Sequence, residues 1–409
     1  MDLCILAERI LTISAPGIIA HGAVLARGGR IAAVGRAADL QPPAGTPTLT
    51  LGDVTLLPGL IDAHAHLMLD GSPDPLRTLQ AEDDSQVLLR MVHNATVLIR
   101  SGVTTVRDCA CRNHLSLALR DAIRGGLLVG PNVLSAGRVL TITGGHLFFV
   151  GRECDGTDAL RHAVRAEVKA GVDLIKVMGS GGRITPGGAN LRRRPQLTAD
   201  ELALVVREAH GFGKRVAVHA HATAAIAQAV AAGADSVEHC LWLDDETGFR
   251  LDERTLERMA AQGTFVVPTL ARFFPRGGAA ESGDPLMRDI DPLLPLFARM
   301  REAGVRLVAG NDTGASYTPF TDLVHGLELM ARFGMAPAEL LRAATLTAAE
   351  CLGRDDVGAL AAGRRADLIA VRGNPLDDVR ALWDVELIIK DGQVAWQQMP
   401  GPGPRAPLA

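Results

Sequence analysis

Two histidines that are separated by one small residue suggest a metal site near the start of the chain. The segment LLPGLIDAHAHL contains His64 and His66. The run from Leu56 to Ile61 is apolar and is interrupted only by Pro58 and Gly59, as expected near the end of a buried parallel strand. Residues two apart in a strand lie on one face, so one metal ion could bind both imidazoles. Two structural histidines would give the same pattern.

Residues of metal-binding types recur at the ends of later strand-like segments. The carboxyl ends of the strands of a (β/α)8 barrel meet at one mouth, so these side chains are expected to lie together. Any one of them alone could be a core residue or a helix cap, and their shared placement is what favours a metal site. They are Lys176 in LIKVMGS, His219 and His221 in RVAVHAH, His239 in SVEHC and Asp312 in RLVAGND.

The middle of the chain, residues 55–354, has the pattern of a parallel α/β fold. Eight strand-like segments can be identified, and most are separated by helix-like stretches rich in Ala, Leu and Glu. Eight such units predict a (β/α)8 TIM barrel. Several helical stretches end at a glycine just before the next strand, which is a typical stop signal. The eight segments are TLLPGLIDAHAH, TTVRDC, NVLSAG, LIKVMGS, RVAVHAH, SVEHC, TFVVPTL and RLVAGND.

Both ends of the chain are rich in strand patterns instead. Residues 1–54 alternate with period two and contain no long helix, and residues 355–398 include a hairpin signal at Asp391-Gly392. We therefore expect the two ends to form one small β-sandwich domain that the barrel interrupts. The last segment, residues 399–409, is rich in Pro and Gly and is expected to be a disordered tail.

The composition excludes several classes of function. The 409 residues are 47% hydrophobic and 22% charged, with a formal net charge of -4, so no broad basic surface is available for nucleic acid or anionic lipid. The six cysteines are scattered, and neither a signal peptide nor a membrane span is evident. A reduced, cytoplasmic protein that binds neither nucleic acid nor membrane is expected. Whether it forms a homo-oligomer is left open.

These motifs resemble those of the amidohydrolase superfamily, in its binuclear-metal subtype. PGLIDAHAH, the strand lysine, the later histidines and the final aspartate occur in that family's order, between GGRIAAVG and AGRRADLIAV. The segments GRECDGTDALRHAV, LIKVMGSGG and VAVHAHATAAIAQAVAAGADSVEHC resemble the dipeptidase and prolidase-like branch. Ochratoxin hydrolases and imidazolonepropionases are related to this branch.

The resemblance implies two divalent metal ions, of which zinc is expected, with manganese or cobalt as alternatives. His64 and His66 would bind one metal and His219 and His239 the other, while Asp312 would complete the first site. Lys176 would bridge both metals after carboxylation, because an ammonium group cannot bind a cation. His219 is preferred to His221 by the family's spacing to His239, and His221 would then face the substrate.

Further residues are candidates for substrate contacts. His146 in TITGGH resembles the family histidine that hydrogen-bonds the scissile carbonyl, although a plain loop histidine is an alternative. Arg152 and the run Arg192–Arg194 are candidates for binding a substrate carboxylate, although a solvated loop is the simpler interpretation of the run. Tyr317 follows Asp312 closely enough to line the same mouth, but it could equally be a packed loop residue.

Together these features predict a metal-dependent hydrolase of a small amide, such as a dipeptide or an N-acyl amino acid. The metals would activate a water molecule and polarise the carbonyl, and Asp312 would pass the proton of the water to the leaving amine. The alternatives are a cyclic-amide or lactone hydrolase, a deaminase, an ochratoxin-like amide hydrolase, and a barrel that binds without catalysis. The absence of a tyrosine beside His219 weakens a proline-specific assignment.

Overall fold

The structure is a computed structural model that describes residues 2–245, 248–276 and 289–398. The predicted disordered tail, residues 399–409, lies outside the described residues. The strands are β1 (Asp2–Leu11), β2 (Ile18–Arg27), β3 (Arg30–Arg36), β4 (Thr48–Thr50), β5 (Val54–Pro58), β6 (Leu60–Ala65), β7 (Val103–Asp108), β8 (Asn132–Ser135), β9 (Leu140–Thr141), β10 (Arg152–Glu153), β11 (Leu174–Met178), β12 (Arg215–Ala222), β13 (Ser236–Asp244), β14 (Gly248–Phe249), β15 (Phe265–Val267), β16 (Arg306–Leu307), β17 (Leu368–Arg372), β18 (Val385–Lys390) and β19 (Gln393–Gln397).

Helices alternate with the strands through the middle of the chain. One helix or more follows each of β6, β7, β8, β11, β12, β13, β15 and β16 before the next of these strands or the end of the barrel-like region. The helices are α1 (Pro75–Ala81), α2 (Asp84–Arg100), α3 (Leu115–Arg124), α4 (Gly156–Ala170), α5 (Ala199–Gly211), α6 (Thr223–Ala232), α7 (Glu253–Gln262), α8 (Leu270–Phe273), α9 (Leu294–Glu302), α10 (Leu323–Ala331), α11 (Pro337–Ala343) and α12 (Leu346–Cys351).

Helix α2 illustrates how the sequence sets these elements. It begins at a capping box, in which Asp83 accepts a hydrogen bond from the backbone N–H of Gln86 and the Gln86 side chain accepts one from Asp83. Its buried residues Val87, Met91, Ala95 and Leu98 recur at helical spacing, so one face packs on the sheet. The glycine stops predicted from the sequence follow α2, α4, α6 and α9, and each has a positive φ (Gly102, Gly171, Gly233 and Gly304).

The parallel strands of the middle of the chain lie in two sheets, and apart from β9 and β10 their neighbours follow chain order. One sheet is β6-β7-β8, and the other is β10-β9-β11-β12-β13-β15-β16 with β14 on β13. Backbone hydrogen bonds join the two sheets at both borders: Asp173 N–H donates to Ser135 O at 2.8 Å, and Ala63 N–H donates to Ala309 O at 3.0 Å. The α/β class predicted from the sequence is confirmed.

Strands from both ends of the chain share a third sheet, which we call the terminal sheet. Its order is β19-β18-β17-β5-β1-β2-β3, with β4 on β1. The sequence predicts that both ends form one small β-sandwich domain, and pairing of β5 with both β1 and β17 joins the two ends in one hydrogen-bonded sheet. The packing of this sheet into a sandwich stays a prediction. The hairpin predicted at Asp391-Gly392 connects β18 to β19, and both turn residues have positive φ.

The segment TLLPGLIDAHAH proves to be two strands. Its first part, β5, lies in the terminal sheet, so the predicted barrel start at residue 55 falls inside a strand of that sheet. Its second part, β6, is the first strand of the parallel set and carries His64. Gly59 lies between them at a close approach to Thr104, where a Cβ would lie 2.1 Å from Thr104 Oγ1.

Two further observations concern the whole described chain. In the part that the structure describes, there is no helix with both the length and the apolar character that a bilayer span requires. All six cysteines are buried and carry free thiols.

Candidate metal centre

The parallel strands bring the six predicted metal ligands together at their carboxyl ends. Strands β6, β11, β12 and β13 each place ligand-type side chains at or near their last residues. The final aspartate comes shortly after β16, in a segment that hydrogen-bonds to β6 through Thr313. All of the following side chains line one cavity: His64, His66, Lys176, His219, His221, His239 and Asp312.

One part of the centre, which we call the carboxylate half, consists of His64, His66, Asp312 and Glu238. Asp312 Oδ1 lies 3.0 Å from His66 Nε2 and 3.5 Å from His64 Nε2. On its other side, His64 Nδ1 lies 2.7 Å from Glu238 Oε2. Since Glu238 can only accept from His64 Nδ1–H, the lone pair of His64 is left on Nε2, facing Asp312.

Glu238 is itself held by a fully buried network. Its other oxygen, Oε1, accepts hydrogen bonds from Arg107 Nη2 at 2.7 Å and from Ser236 Oγ at 2.6 Å. Burial alone would raise the pKa of Glu238, but the positive charges of Arg107 and Lys176 hold it well below its usual range. The carboxylate is therefore ionised, and it can fix the orientation of the His64 ring.

The other part, which we call the imidazole half, consists of His219, His221 and His239. His239 Nε2 lies 2.8 Å from His219 Nδ1, while His239 Nδ1 contacts Thr269 Oγ1 at 2.7 Å. The ring of His221 stacks on that of His239, with centroids 4.6 Å apart. Burial, and then the neighbouring positive groups, lower the pKa of all three histidines well below the ordinary value. The rings are therefore neutral and can donate lone pairs.

Lys176 lies in β11, and its side chain lines the same cavity as both halves. It is 1% exposed, and among the described residues its Nζ has no hydrogen-bond partner. Burial lowers the pKa of its amine, although the charge of Glu238 opposes this effect. A bare ammonium group is costly in such a place, whereas a neutral or modified amine is not.

These residues fit a metal centre. His64, His66 and Asp312 bring one potential ligand atom each within 4.8 Å of one another, and so do His219, His221 and His239. Within the described ranges, His66 Nδ1 and His221 Nδ1 are buried without hydrogen-bond partners. A third grouping, of His64, Cys109 and Glu238, fits less well because burial raises the pKa of the Cys109 thiol to about 12.

His146 enters the cavity from the loop between β9 and β10. Its ring stacks on His219, with centroids 4.5 Å apart, and its Nδ1 lies 3.1 Å from Thr185 Oγ1. Burial lowers the pKa of His146 to about 3, so the ring is neutral. Gly182 leaves the space that it needs, because a Cβ there would lie 2.1 Å from His146 Cε1.

The outer wall of the cavity combines arginines with apolar side chains. Arg183, Arg192 and Arg272 line it together with Leu76, Leu147, Ile184 and Phe273. Arg192 is only 4% exposed, so the expectation of a solvated loop is wrong for this member of the arginine run. The loop that carries it folds back on its own base, where Ser180 pairs with Pro195.

Two of the predicted substrate-binding residues are not among the described residues that line the cavity. Arg152 lies in β10, where its Nε is 3.0 Å from Glu167 Oε1, so its charge is used in a structural ion pair. Tyr317 follows the lining residue Ser316, and its backbone N–H donates to Ser72 O at 3.3 Å. Of the three predicted contacts, the structure places only His221 in the cavity.

Sequence reasoning missed Glu238, Arg107 and Arg272. The sequence does contain a signal for Glu238: a glutamate inside the apolar strand SVEHC must pair with another group when it is buried. Arg107 lies in the strand TTVRDC and forms the ion pair with Glu238. Arg272 follows the strand TFVVPTL, and its place in the cavity depends on a loop path that no local pattern specifies.

Comparison with known proteins agrees with this geometry. Residues 55–395 match the model of the amidohydrolase family. Ochratoxinase of Aspergillus niger is 29% identical over 392 residues, covering 88% of this chain and 78% of that protein. Imidazolonepropionase of Paracoccus denitrificans is 25% identical over 408 residues, covering 90% of this chain and 89% of that protein.

A solved structure is also similar over nearly the whole chain. The crystal structure of a Xaa-Pro dipeptidase with methionine bound in its active site superposes with a TM-score of 0.85 at 27% identity. It covers 97% of this chain and 100% of that one. The strand-end motifs, the parallel strands and these similarities agree: the chain belongs to the amidohydrolase family and is a hydrolytic enzyme of that family.

Proposed function

We propose that the enzyme hydrolyses the C–N bond of a small amide, either a dipeptide or an N-acyl amino acid, with two divalent metal ions. The observation that carries this proposal is the joining of the carboxylate half and the imidazole half in the one cavity that Lys176 also lines. The similarity to a dipeptidase and to ochratoxinase supports the class of bond.

In this proposal His64, His66 and Asp312 hold one metal, and His219 and His239 hold the other. Lys176, once carboxylated on Nζ, would supply oxygen ligands to both, which would account for a buried amine without a hydrogen-bond partner among the described residues. Zinc suits this set of nitrogen and oxygen ligands, and manganese or cobalt would also fit. When bound, the metals lower the pKa of a water molecule and polarise the amide carbonyl.

The side chains of the chain then move the proton and orient the substrate. Burial alone would raise the pKa of Asp312, but its hydrogen bond to His66 and the nearby positive groups hold it well below its usual range. Asp312 is thus ionised, so it takes a proton from the attacking water and delivers it to the leaving nitrogen as the C–N bond breaks. His146, neutral and engaged at Nδ1 by Thr185, donates from Nε2 to the carbonyl oxygen.

We also infer that the two parallel sheets are parts of one (β/α)8 barrel with its site at the carboxyl ends of the strands. The chain order of the strands and the hydrogen bonds at both borders between the sheets support this inference. The barrel would start after Gly59 and end near residue 354, with the terminal sheet as a separate unit.

The test is removal and return of the metal. The purified protein is treated with a chelator, its metal content is measured by mass spectrometry, and hydrolysis of a panel of dipeptides and N-acyl amino acids is followed. We expect about two metal ions per chain, loss of activity when they are removed, and recovery with zinc. Full activity of the metal-free protein would overturn the proposal.

A second candidate function uses the same two metals to hydrolyse the C–N bond of a cyclic amide. The 25% identity to imidazolonepropionase favours it. The same panel, extended with cyclic amides and lactones, decides between the two, because a preference for ring-opening would exclude the linear substrates proposed first.

A further inference from the structure

The outer wall of the cavity carries an unequal distribution of charge. Among the described lining residues, the guanidinium groups belong to Arg183, Arg192 and Arg272. Asp312 is the carboxylate among those residues, and the proposed function commits it to the metal. A substrate that enters this cavity therefore meets a wall that favours negative groups and opposes positive ones.

Arg192 stands close to the residues that would surround the scissile bond. It lines the cavity together with His146 and His221 and is 4% exposed, and burial together with the charges of its arginine neighbours lowers its own pKa to about 10. An arginine so deeply buried at a cavity wall can bind a carboxylate with a forked pair of hydrogen bonds.

Arg272 is held in a fixed position at the same wall. Its Nη1 donates to Ser316 O at 3.2 Å, and its Nε lies 3.8 Å from Asp312 Oδ2. Burial lowers the pKa of Arg272, and the nearby charge of Asp312 opposes that effect. Asp312 thus sits between Arg272 and the two histidines of the carboxylate half, so an anion on Arg272 would lie beside the proposed metals.

Apolar side chains complete the wall. Leu76, Leu147, Ile184 and Phe273 line the cavity beside the arginines. They offer a surface for an apolar side chain or an apolar acyl group, since burial of such groups is favourable. The cavity thus combines guanidinium groups that favour an anionic group with apolar side chains that favour an apolar group.

We propose that, of the two substrate classes named above, the enzyme takes N-acyl amino acids and excludes dipeptides with a free amino terminus, with Arg192 and Arg272 binding the α-carboxylate. This inference rests on the proposed function, because it assumes that the cavity is the site of amide hydrolysis. The acyl group must be uncharged, since among the described lining residues the carboxylate that could receive an ammonium group is Asp312, which the proposed function commits to the metal.

Three matched substrates test the inference on the zinc-loaded enzyme: N-acetyl-L-phenylalanine, its primary amide, and glycyl-L-phenylalanine. Release of the phenylalanine unit is measured by chromatography. We expect kcat/KM for the acetylated acid to exceed that for the other two by at least about tenfold, the lower bound for one charge-assisted hydrogen bond. Equal or better cleavage of the dipeptide would overturn the inference.

Variants locate the effect. Arg192→Met should lower kcat/KM for the acetylated acid by about 10- to 100-fold and should lower kcat/KM for the amide by clearly less. Arg192→Lys keeps the charge but not the forked pair of hydrogen bonds, so its kcat/KM for the acetylated acid should lie between those of the wild type and Arg192→Met. Arg194→Met is the matched control, because Arg194 belongs to the same arginine run but its side chain is 70% exposed, with Asp245 3.7 Å away. An equal loss on acid and amide would overturn the role of Arg192.

Equilibrium binding separates this inference from the proposed function. Calorimetry of N-acetyl-L-phenylalanine and of its amide on the zinc-loaded protein needs no turnover. Should the acid bind more tightly than the amide, in an Arg192-dependent way, while neither is cleaved, the carboxylate site would stand and the hydrolase assignment would fall. Equal binding of acid and amide by the wild-type protein would overturn the carboxylate site whether or not the variants fold.

Discussion

The carboxylate half and the imidazole half meet in one cavity but are held in different ways. In the carboxylate half, ionised Glu238 and Asp312 flank His64: its Nδ1–H donates to Glu238 at 2.7 Å, and Asp312 Oδ1 lies 3.5 Å from its Nε2. In the imidazole half, neutral rings contact one another, and the outer anchor of His239 is the hydroxyl of Thr269. The first half is oriented by charge before any metal arrives, whereas the second depends on packing and on the metal itself.

The largest effects on turnover are expected in the imidazole half, where either His219 or His221 could be the metal ligand beside His239. His219→Ala should lose one of the two metals and reduce turnover more than about 100-fold, because even outer partners of metal ligands cost 10- to 100-fold. His221→Ala should keep both metals and mainly raise KM. Metal content per chain and steady-state kinetics measure both. If His221→Ala alone lost a metal, the assignment of the two histidines would be reversed.

In the carboxylate half, the decisive change is Glu238→Gln. Loss of the carboxylate charge weakens the hydrogen bond from His64 Nδ1 and leaves the buried charge of Arg107 without its counter-charge. The metal affinity should therefore fall by about 10- to 100-fold. Competition with a chelator of known affinity measures it. Glu257→Gln, at an exposed site in α7, is the control and should change nothing. Unchanged affinity in Glu238→Gln would mean that packing orients both halves.

The smallest effect is expected from Gly182→Ala. The added Cβ would displace the His146 ring, which stacks on His219, and turnover should fall by about tenfold, less than the hundredfold that a misplaced reacting group can cost. Metal content should stay the same. Gly211→Ala, where a Cβ meets no atom within 4 Å, is the matched control. A loss of metal in Gly182→Ala would show that His146 supports the imidazole half instead of the substrate.

The strand-end residues could be predicted because a strand has a fixed period. His64 and His66, like His219 and His221, face one side whatever the loops do, and all four line the cavity. Residues on loops lack this constraint. Arg152 was expected near the substrate and pairs with Glu167, whereas Arg192 was expected in solvent and is buried.

Glu238 shows a different limit of sequence reasoning. A buried charge requires a partner, but the partner of Glu238 lies 131 positions away in Arg107, and only the order of the strands brings the two together. The boundary at Gly59 was likewise hidden, because TLLPGLIDAHAH reads as one apolar strand although its two parts belong to different sheets.

The short step from β5 to β6 bears on any attempt to prepare a minimal catalytic fragment. Strand β5 is bordered by β1 on one side and β17 on the other, and His64 follows only six residues after Pro58. Truncating either terminus would strip β5 of a neighbour and expose a sheet edge next to the first metal-binding strand. A fragment trimmed to the parallel strands alone would therefore lose the anchor that holds His64 and His66 in register.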